Sequence, residues 1–179
     1  MIHKVNFLDI LFFSTNSFSK LLLVFNQKKL GQGDGVGSFK HKLLAVMQHV
    51  VIVSQGRVLL LRYSAYQGQG VEGLWGLPGG HYMSGTPEED LLREVREETG
   101  LQLDREIKLL RTYVVMFPDG IERYGVFYLC NLGNQPKPVV RLSEEHTDYL
   151  WVDRDYAGNI ISFIGPFHKK VVEDVLESV

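Results

Sequence analysis

Runs of apolar and β-branched residues predict the strands of this chain. Residues 43–53 and 57–63 are two such runs separated by Ser-Gln-Gly, a pattern typical of a β-hairpin. Residues 107–117 and 121–132 form a second pair around Pro-Asp-Gly, which is a strong turn signal. The short run 149–152 predicts a further strand. The pattern therefore predicts two antiparallel strand pairs and one additional strand.

A first helix is predicted between Thr86 and Gly100. Thr86 and Glu89 have the spacing of a capping box, and Pro87 occupies a first-turn position where proline is tolerated. Gly100 supplies a stop signal. At about 100° per residue, three apolar side chains fall on one arc of this helix. They are Leu91, Leu92 and Val95.

A second helix is predicted at the C-terminus, where Pro166 is a suitable first residue. Apolar side chains recur there at every fourth position, which indicates a buried stripe. The stripe consists of Phe167, Val171, Val175 and Val179. Two helices combined with these strands suit an α/β/α sandwich.

Three carboxylates, Glu94, Glu97 and Glu98, share the arc beside the apolar arc of the first helix. Like charges at this spacing destabilise a helix, and they do so more strongly when they are partly desolvated. A hard divalent cation reverses the effect, because Mg²⁺ and Mn²⁺ prefer carboxylate oxygens. Taken alone, such an arc is more often a solvated acidic face. The Gly- and Pro-rich segment 74–80 just upstream is typical of a short strand that enters a loop. It favours a ligand site, because adjacent glycines let the backbone approach a ligand closely.

The segment from Gly79 to Leu101 resembles the signature box of the Nudix hydrolases, Gly-x5-Glu-x7-Arg-Glu-U-x-Glu-Glu-x-Gly-U, where U is a bulky aliphatic residue. Eight of the nine specified positions match. The matching residues are Gly79, Arg93, Glu94, Val95, Glu97, Glu98, Gly100 and Leu101. The first glutamate, which in the family supports the loop and the metal site, is absent: Gly85 stands there. Either a replacement or a loop shortened by one residue explains this, and we expect weakened more than abolished function.

The resemblance implies an α/β fold, a Nudix-like α/β/α sandwich with a mixed β-sheet. It also implies Mg²⁺-dependent hydrolysis of a phosphoanhydride in a nucleoside diphosphate linked to another group, such as a nucleoside triphosphate, a nucleotide sugar or ADP-ribose. Glu94, Glu97 and Glu98 would hold Mg²⁺, or Mn²⁺ in its place, and Arg93 would orient them within the catalytic group. The alternative for Arg93 is a surface salt bridge. The alternative function is a weak or inactive Nudix-fold module that binds nucleotides or regulates.

The general base stays open among four carboxylates, because the family uses either a box glutamate or an acidic residue of a later loop. Glu94 and Glu98 are the candidates in the box. Glu144 and Glu145 precede the strand 149–152 and could equally form a solvated turn. His146, next to them, is expected to be structural or to face solvent.

The resemblance also implies contacts to the substrate and the metal, after the second predicted strand and at the start of the box. Arg62 would meet a phosphate, or else is an exposed charge at a strand end. Gly79 and Gly80 would contribute backbone to the bound metal and substrate. Aromatic side chains that could stack on a base, or pack the loop, are Tyr63, Tyr66 and Trp75.

Composition limits the classes of partner. The chain has 179 residues with 19 basic and 21 acidic side chains, and its charge of −2 does not suit binding to long nucleic acid. Apolar residues 5–13 are interrupted by Asn6 and Asp9, and the run 21–25 is too short to cross a bilayer. The single Cys130 lies in an apolar run, so we expect a reduced core residue and a cytoplasmic protein without membrane attachment.

Residues 1–40 are interpreted as an N-terminal extension of uncertain order, and 41–179 as the Nudix domain. Four glycines within residues 31–38 are typical of a flexible linker. The rival interpretation is an added strand or helix that packs on the domain or on a second subunit. Because dimers are common in the family, a homodimer stays open.

Overall fold

The computed structural model describes residues 44–65, 70–116, 121–159 and 162–179. Its strands are β1 Ala45–Ser54, β2 Arg57–Tyr63, β3 Trp75–Gly76, β4 Gly79–His81, β5 Lys108–Met116, β6 Glu122–Asn131 and β7 His146–Val152. Its helices are α1 Pro87–Thr99, α2 Arg154–Ala157 and α3 Pro166–Ser178. The proposed extension 1–40 lies outside the described residues, so the domain boundary after residue 40 stays a prediction.

The strands form one mixed sheet with the order β3-β2-β1-β6-β5, in which β4 also pairs with β1 and β7 with β2. Both predicted strand pairs are present, since β1 with β2 and β5 with β6 are antiparallel. β1 and β6 run parallel, from the pair Ala45 and Arg123 to the pair Val53 and Asn131. This parallel pair joins the two antiparallel pairs into one sheet.

Apolar side chains fill both faces of the sheet. Val50 and Ile52 of β1 belong to a core cluster with Leu91 and Val95 of α1. The intervening residues of β1, Val51 and Val53, belong to a second cluster with the buried side chains of α3. Because successive strand residues point to opposite faces, α1 and α3 cover opposite sides of the sheet, as an α/β/α sandwich requires. In the described ranges, no helix is both long and apolar enough to cross a membrane.

The two long helices follow most of their predicted signals, and Phe167 of the predicted α3 stripe is half-buried. Thr86 and Glu89 form the capping box, and Gly100 ends α1 in a left-handed conformation with φ of 69°. Leu92, predicted on the apolar arc of α1, is only half-buried. In α3 the predicted stripe is buried at Val171 and Val175, but Val179 is 53% exposed. The prediction for Val179 was wrong because the helix ends at Ser178, one residue earlier.

The glycines that open the box lie in a strand, where a loop was predicted. β4 pairs antiparallel with β1, so that Gly79 is opposite His49 and Gly80 is opposite Gln48. Gly79 has φ of +125°, and a Cβ atom there would stand 2.2 Å from the carbonyl oxygen of Gln48. Glycine is therefore required at this position by the close approach of β1.

Candidate active site

Glu98 is a buried carboxylate held between α1 and β4. Its residue is 4% exposed. Its Oε2 accepts a hydrogen bond of 2.7 Å from the backbone N–H of Gly79. Desolvation raises the pKa of Glu98 well above its ordinary value, against the opposing effect of this hydrogen bond, and the charge of Glu94 raises it further. The fold thus holds the Glu98 carboxylate where its negative charge is poorly solvated.

Arg93 bridges the other two carboxylates of the box. Its Nη2 donates to Oε1 of Glu94 at 2.5 Å, and its Nη1 donates to Oε2 of Glu97 at 2.7 Å. The Glu94 side chain is 20% exposed and that of Glu97 is 56% exposed. Desolvation is the main cause that raises the pKa of Glu94, whereas the hydrogen bond from Arg93 lowers it. The three carboxylates therefore differ in environment, from buried Glu98 to exposed Glu97.

Asp90 is a further carboxylate in this network, and the sequence interpretation missed it. It lies one turn before Glu94 on α1 and is 3% exposed. Its Oδ1 accepts a hydrogen bond of 2.7 Å from Nη2 of Arg93. The available signal was its spacing of three from Arg93 and four from Glu94, which places all three on one helix face.

The segment before β7 packs against the end of α1. The N–H of Ser143 donates to the carbonyl of Glu98 at 3.1 Å, and the charge of Glu145 contributes to the raised pKa of Glu98. Glu144 is exposed. The structure therefore brings Glu145 into the electrostatic surroundings of Glu98.

His146 lies in the core and does not face solvent. It is 5% exposed, and its Nε2 is 3.8 Å from Oε1 of Glu98. Burial lowers the pKa of His146 to about 4, so the ring is neutral at pH 7. Its ring centroid is 4.9 Å from that of Tyr63, which places Tyr63 on the same side of the sheet.

The predicted substrate contacts are only partly brought together with the carboxylates. Gly80 is close to Glu94, since a Cβ atom on Gly80 would be 3.7 Å from Oε2 of Glu94. Arg62 is exposed, and its Nε donates to the carbonyl of Gly73 at 3.3 Å. Among the hydrogen bonds and ion pairs of the described residues, none joins Arg62 to a box carboxylate. Trp75 packs against the core cluster on the α3 side, and Tyr66 lies outside the described residues.

The donor set fits a hard divalent cation. Two desolvated carboxylates, Glu94 and Glu98, lie beside the glycine backbone of β4, and a cation would compensate the cost of their burial. Arg93 donates hydrogen bonds to the carboxylates of Glu94 and Glu97. Among the residues that the structure describes, the side chains form no cluster of three or more potential metal ligands. Binding of a metal would therefore require these carboxylates to turn from Arg93.

A comparison with protein families decides the classification. The model of the NUDIX domain matches residues 43–175, which is most of the chain. The chain belongs to the Nudix family. The predicted family and its α/β/α fold are thereby confirmed, and the predicted enzyme class, a Nudix-type pyrophosphohydrolase, is consistent with this membership.

Solved structures with the same fold include proteins of several organisms. The MutT protein from Methanosarcina mazei Go1 is 22% identical, with 78% of this chain and 97% of that chain covered and a TM-score of 0.62. The NUDIX domain of Shewanella oneidensis NrtR, solved with ADP ribose, is 21% identical, with 77% and 90% covered and a TM-score of 0.64. A bifunctional NMN adenylyltransferase/ADP ribose pyrophosphatase from Francisella tularensis, solved with AMP and a manganese ion, is 21% identical, with 77% and 42% covered and a TM-score of 0.62. At these identities the likeness establishes the fold of this Nudix protein.

Proposed function

We propose that this Nudix protein uses Mg²⁺, with Mn²⁺ as a substitute, to hydrolyse a phosphoanhydride bond in a nucleoside diphosphate linked to another group. The observation that carries the proposal is the buried Glu98 carboxylate. It accepts a hydrogen bond of 2.7 Å from the Gly79 N–H, and the negative charge of Glu94 acts on it. Such an arrangement is unfavourable without a compensating cation. Candidate substrates are a nucleoside triphosphate, a nucleotide sugar and ADP-ribose, and the ADP ribose bound to the NrtR domain supports the last.

Glu94, Glu97 and Glu98 are proposed to hold the metal, with backbone of Gly79 or Gly80 beside them. When bound, such an ion acts as a Lewis acid on phosphate oxygens and lowers the pKa of a water molecule. Arg93 orients Glu94 and Glu97 through its two Nη atoms. A carboxylate then removes the proton of the attacking water, and the candidates remain Glu94, Glu98, Glu144 and Glu145.

Substrate binding is proposed to involve backbone and one basic side chain. Gly79 and Gly80 present β4 backbone next to the carboxylates, and Arg62 would turn from the Gly73 carbonyl to a phosphate group. The partner is thus a small nucleotide, and we propose neither long nucleic acid nor a membrane. A cytoplasmic location is proposed on the free, buried Cys130, and a homodimer remains to be tested by light scattering.

Product analysis with variants tests the activity. The protein would be incubated with nucleoside triphosphates, nucleotide sugars and ADP-ribose, with Mg²⁺ or with a chelator. We expect cleavage with Mg²⁺ and none with the chelator. For Glu97→Gln we expect kcat to fall at least about 100-fold, because a proposed metal ligand is lost; this corresponds to an activation barrier higher by about 2.7 kcal/mol. Glu88→Gln is the matched control, because Glu88 is an exposed glutamate of α1 at a position that the box pattern does not specify. Full activity of Glu97→Gln and Glu98→Gln would refute the assignment.

A nucleotide-binding module without turnover is the second candidate, and Gly85 is the observation that favours it. The family's first box glutamate is missing at this position. The module predicts tight binding of one nucleotide, measured by calorimetry, with no product for any substrate of the panel. Metal-dependent cleavage would exclude it.

A further inference from the structure

Asp90 is a buried carboxylate that the Nudix box pattern does not specify. Its side chain is 1% exposed. Its Oδ2 accepts hydrogen bonds from Nε2 of Gln48 at 3.0 Å and from the backbone N–H of Met83 at 3.1 Å. Its Oδ1 accepts from Nη2 of Arg93 at 2.7 Å. These donors belong to β1, to the loop between β4 and α1, and to α1 itself.

We infer that Asp90 is a positioning residue which supports the loop and the metal-binding carboxylates in place of the glutamate missing at position 85. This inference rests on the proposed function, because it concerns residues of the same site. Asp90 touches neither metal nor substrate in this account: it acts on the metal-binding carboxylates through Arg93 and on the loop through the Met83 N–H.

Position 85 has a backbone conformation that disfavours a glutamate. Gly85 has φ of +80°, in the left-handed region where side chains other than glycine are strained. A Cβ atom there would be 3.6 Å from Oε2 of Glu89 in the capping box, so a side chain at this position would begin in contact with that carboxylate. The carbonyl of Gly85 already accepts a hydrogen bond of 2.7 Å from the hydroxyl of Tyr82. Support of the loop must therefore come from another residue, and the Met83 N–H binds Asp90.

Asp90 also fixes the guanidinium group of Arg93. Nη2 of Arg93 is shared between Asp90 and Glu94, while Nη1 binds Glu97. Gln48 holds the other oxygen of Asp90, and Gln48 is paired with Gly80 across β1 and β4. Without the Asp90 charge, Nη2 would have Glu94 as its remaining acceptor, and Arg93 would compete with a metal for that carboxylate. Asp90 thus shares Nη2 with Glu94 and weakens the competition of Arg93 for the Glu94 carboxylate.

The test is the Mn²⁺ dissociation constant of Asp90→Asn, measured by electron paramagnetic resonance on the full chain without substrate. We expect it to rise about 10- to 100-fold, the range for residues that orient metal ligands. With the substrate found in the panel, kcat should fall while KM for the nucleotide stays within about twofold. Glu89→Gln is the matched control, because Glu89 is the neighbouring carboxylate and binds Thr86. Its Mn²⁺ dissociation constant should stay within about twofold of that of the unmodified protein.

A double variant tests whether Asp90 acts through Arg93. In an Arg93→Gln background, Asp90→Asn should change the Mn²⁺ dissociation constant by less than about twofold, since the competing guanidinium is gone. If Asp90→Asn fails to fold, Gln48→Met replaces it, because this change removes one hydrogen bond and leaves the charge pair. Gln48→Met should weaken Mn²⁺ binding by about threefold or more.

Outcomes that overturn the inference differ from those that overturn the proposed function. Unchanged Mn²⁺ affinity in folded Asp90→Asn, or an equal loss in the Arg93→Gln background, overturns the role of Asp90 even if the protein hydrolyses nucleotides. If the unmodified protein cleaves no substrate but its Mn²⁺ affinity depends on Asp90 as described, the proposed hydrolysis fails and the inference stands.

Discussion

Replacement of Glu98 by Gln should separate stability from function. The carboxylate is almost fully buried, and desolvation raises its pKa well above the ordinary value of 4.5. The folded protein therefore binds this proton more tightly than the unfolded chain does. The contribution of Glu98 to the free energy of unfolding is fully present below pH 4.5, and it is lost as the pH rises through the folded-state pKa. Gln carries no such proton, so the metal-free variant should escape this loss.

The size of the effect follows from two opposing contributions. Each unit by which the pKa is raised corresponds to about 1.4 kcal/mol of stability lost at high pH. The Gly79 N–H donates to the carboxylate and favours its charged form, but this effect is already contained in the net rise of the pKa. Because the net change is upward, desolvation outweighs the hydrogen bond, and the neutral Gln is favoured at high pH. At pH 8 we expect the Tm of the variant to exceed that of the unmodified protein. The difference should be about 2–4 °C for each kcal/mol by which the free energy of unfolding is higher.

The assay is thermal unfolding in the presence of a chelator, at steps from pH 5 to pH 8. The difference in Tm between Glu98→Gln and the unmodified protein should grow in favour of the variant as the pH rises. Glu97→Gln is the control for replacing an exposed carboxylate of the box, since its side chain is 56% exposed and paired with Arg93. A Glu98→Gln variant that is equally destabilised at every pH, or that retains turnover, would refute the reasoning.

Two further predictions concern the same region. Gly79→Ala should destabilise the protein by about 3 kcal/mol or more, because the added Cβ would stand 2.2 Å from the Gln48 carbonyl oxygen. The measurement is urea unfolding, and Gly165→Ala is the control, since a Cβ added at Gly165 would have no atom within 4 Å. Equal urea midpoints for the two variants would contradict the prediction. Mg²⁺ at about 100 times its dissociation constant should add about 2.7 kcal/mol to the unfolding free energy, measured by calorimetry. The gain should vanish with chelator and in Glu98→Gln, and a gain retained in that variant would show that the metal binds elsewhere.

Local signals explain which parts of the fold could be predicted from the sequence. The capping box of Thr86 and Glu89 and the stop at Gly100 depend on residues a few positions apart, and both are found as expected. β4 could not be predicted in this way, because three residues containing two glycines have little strand propensity. Its pairing with β1 is a tertiary contact between residues that are 30 to 34 positions apart in the chain.

The site shows the same division between local spacing and distant packing. Helical spacing placed Glu94, Glu97 and Glu98 on one arc, but it did not predict that Glu98 is buried and Glu97 exposed. That difference arises because β4 docks over Glu98 and donates the Gly79 N–H. Asp90 was missed because a carboxylate near an apolar arc is expected to be solvated, and its donor Gln48 is 42 residues away in the chain.

The most direct test of the central claim is hydrolysis in ¹⁸O-labelled water followed by mass spectrometry of the products. With Mg²⁺, the account predicts cleavage of a nucleoside diphosphate derivative, with one ¹⁸O atom in one of the two phosphate-containing products, and no cleavage with a chelator. Cleavage that persists with chelator, products without the label, or no cleavage of any member of the panel would contradict it.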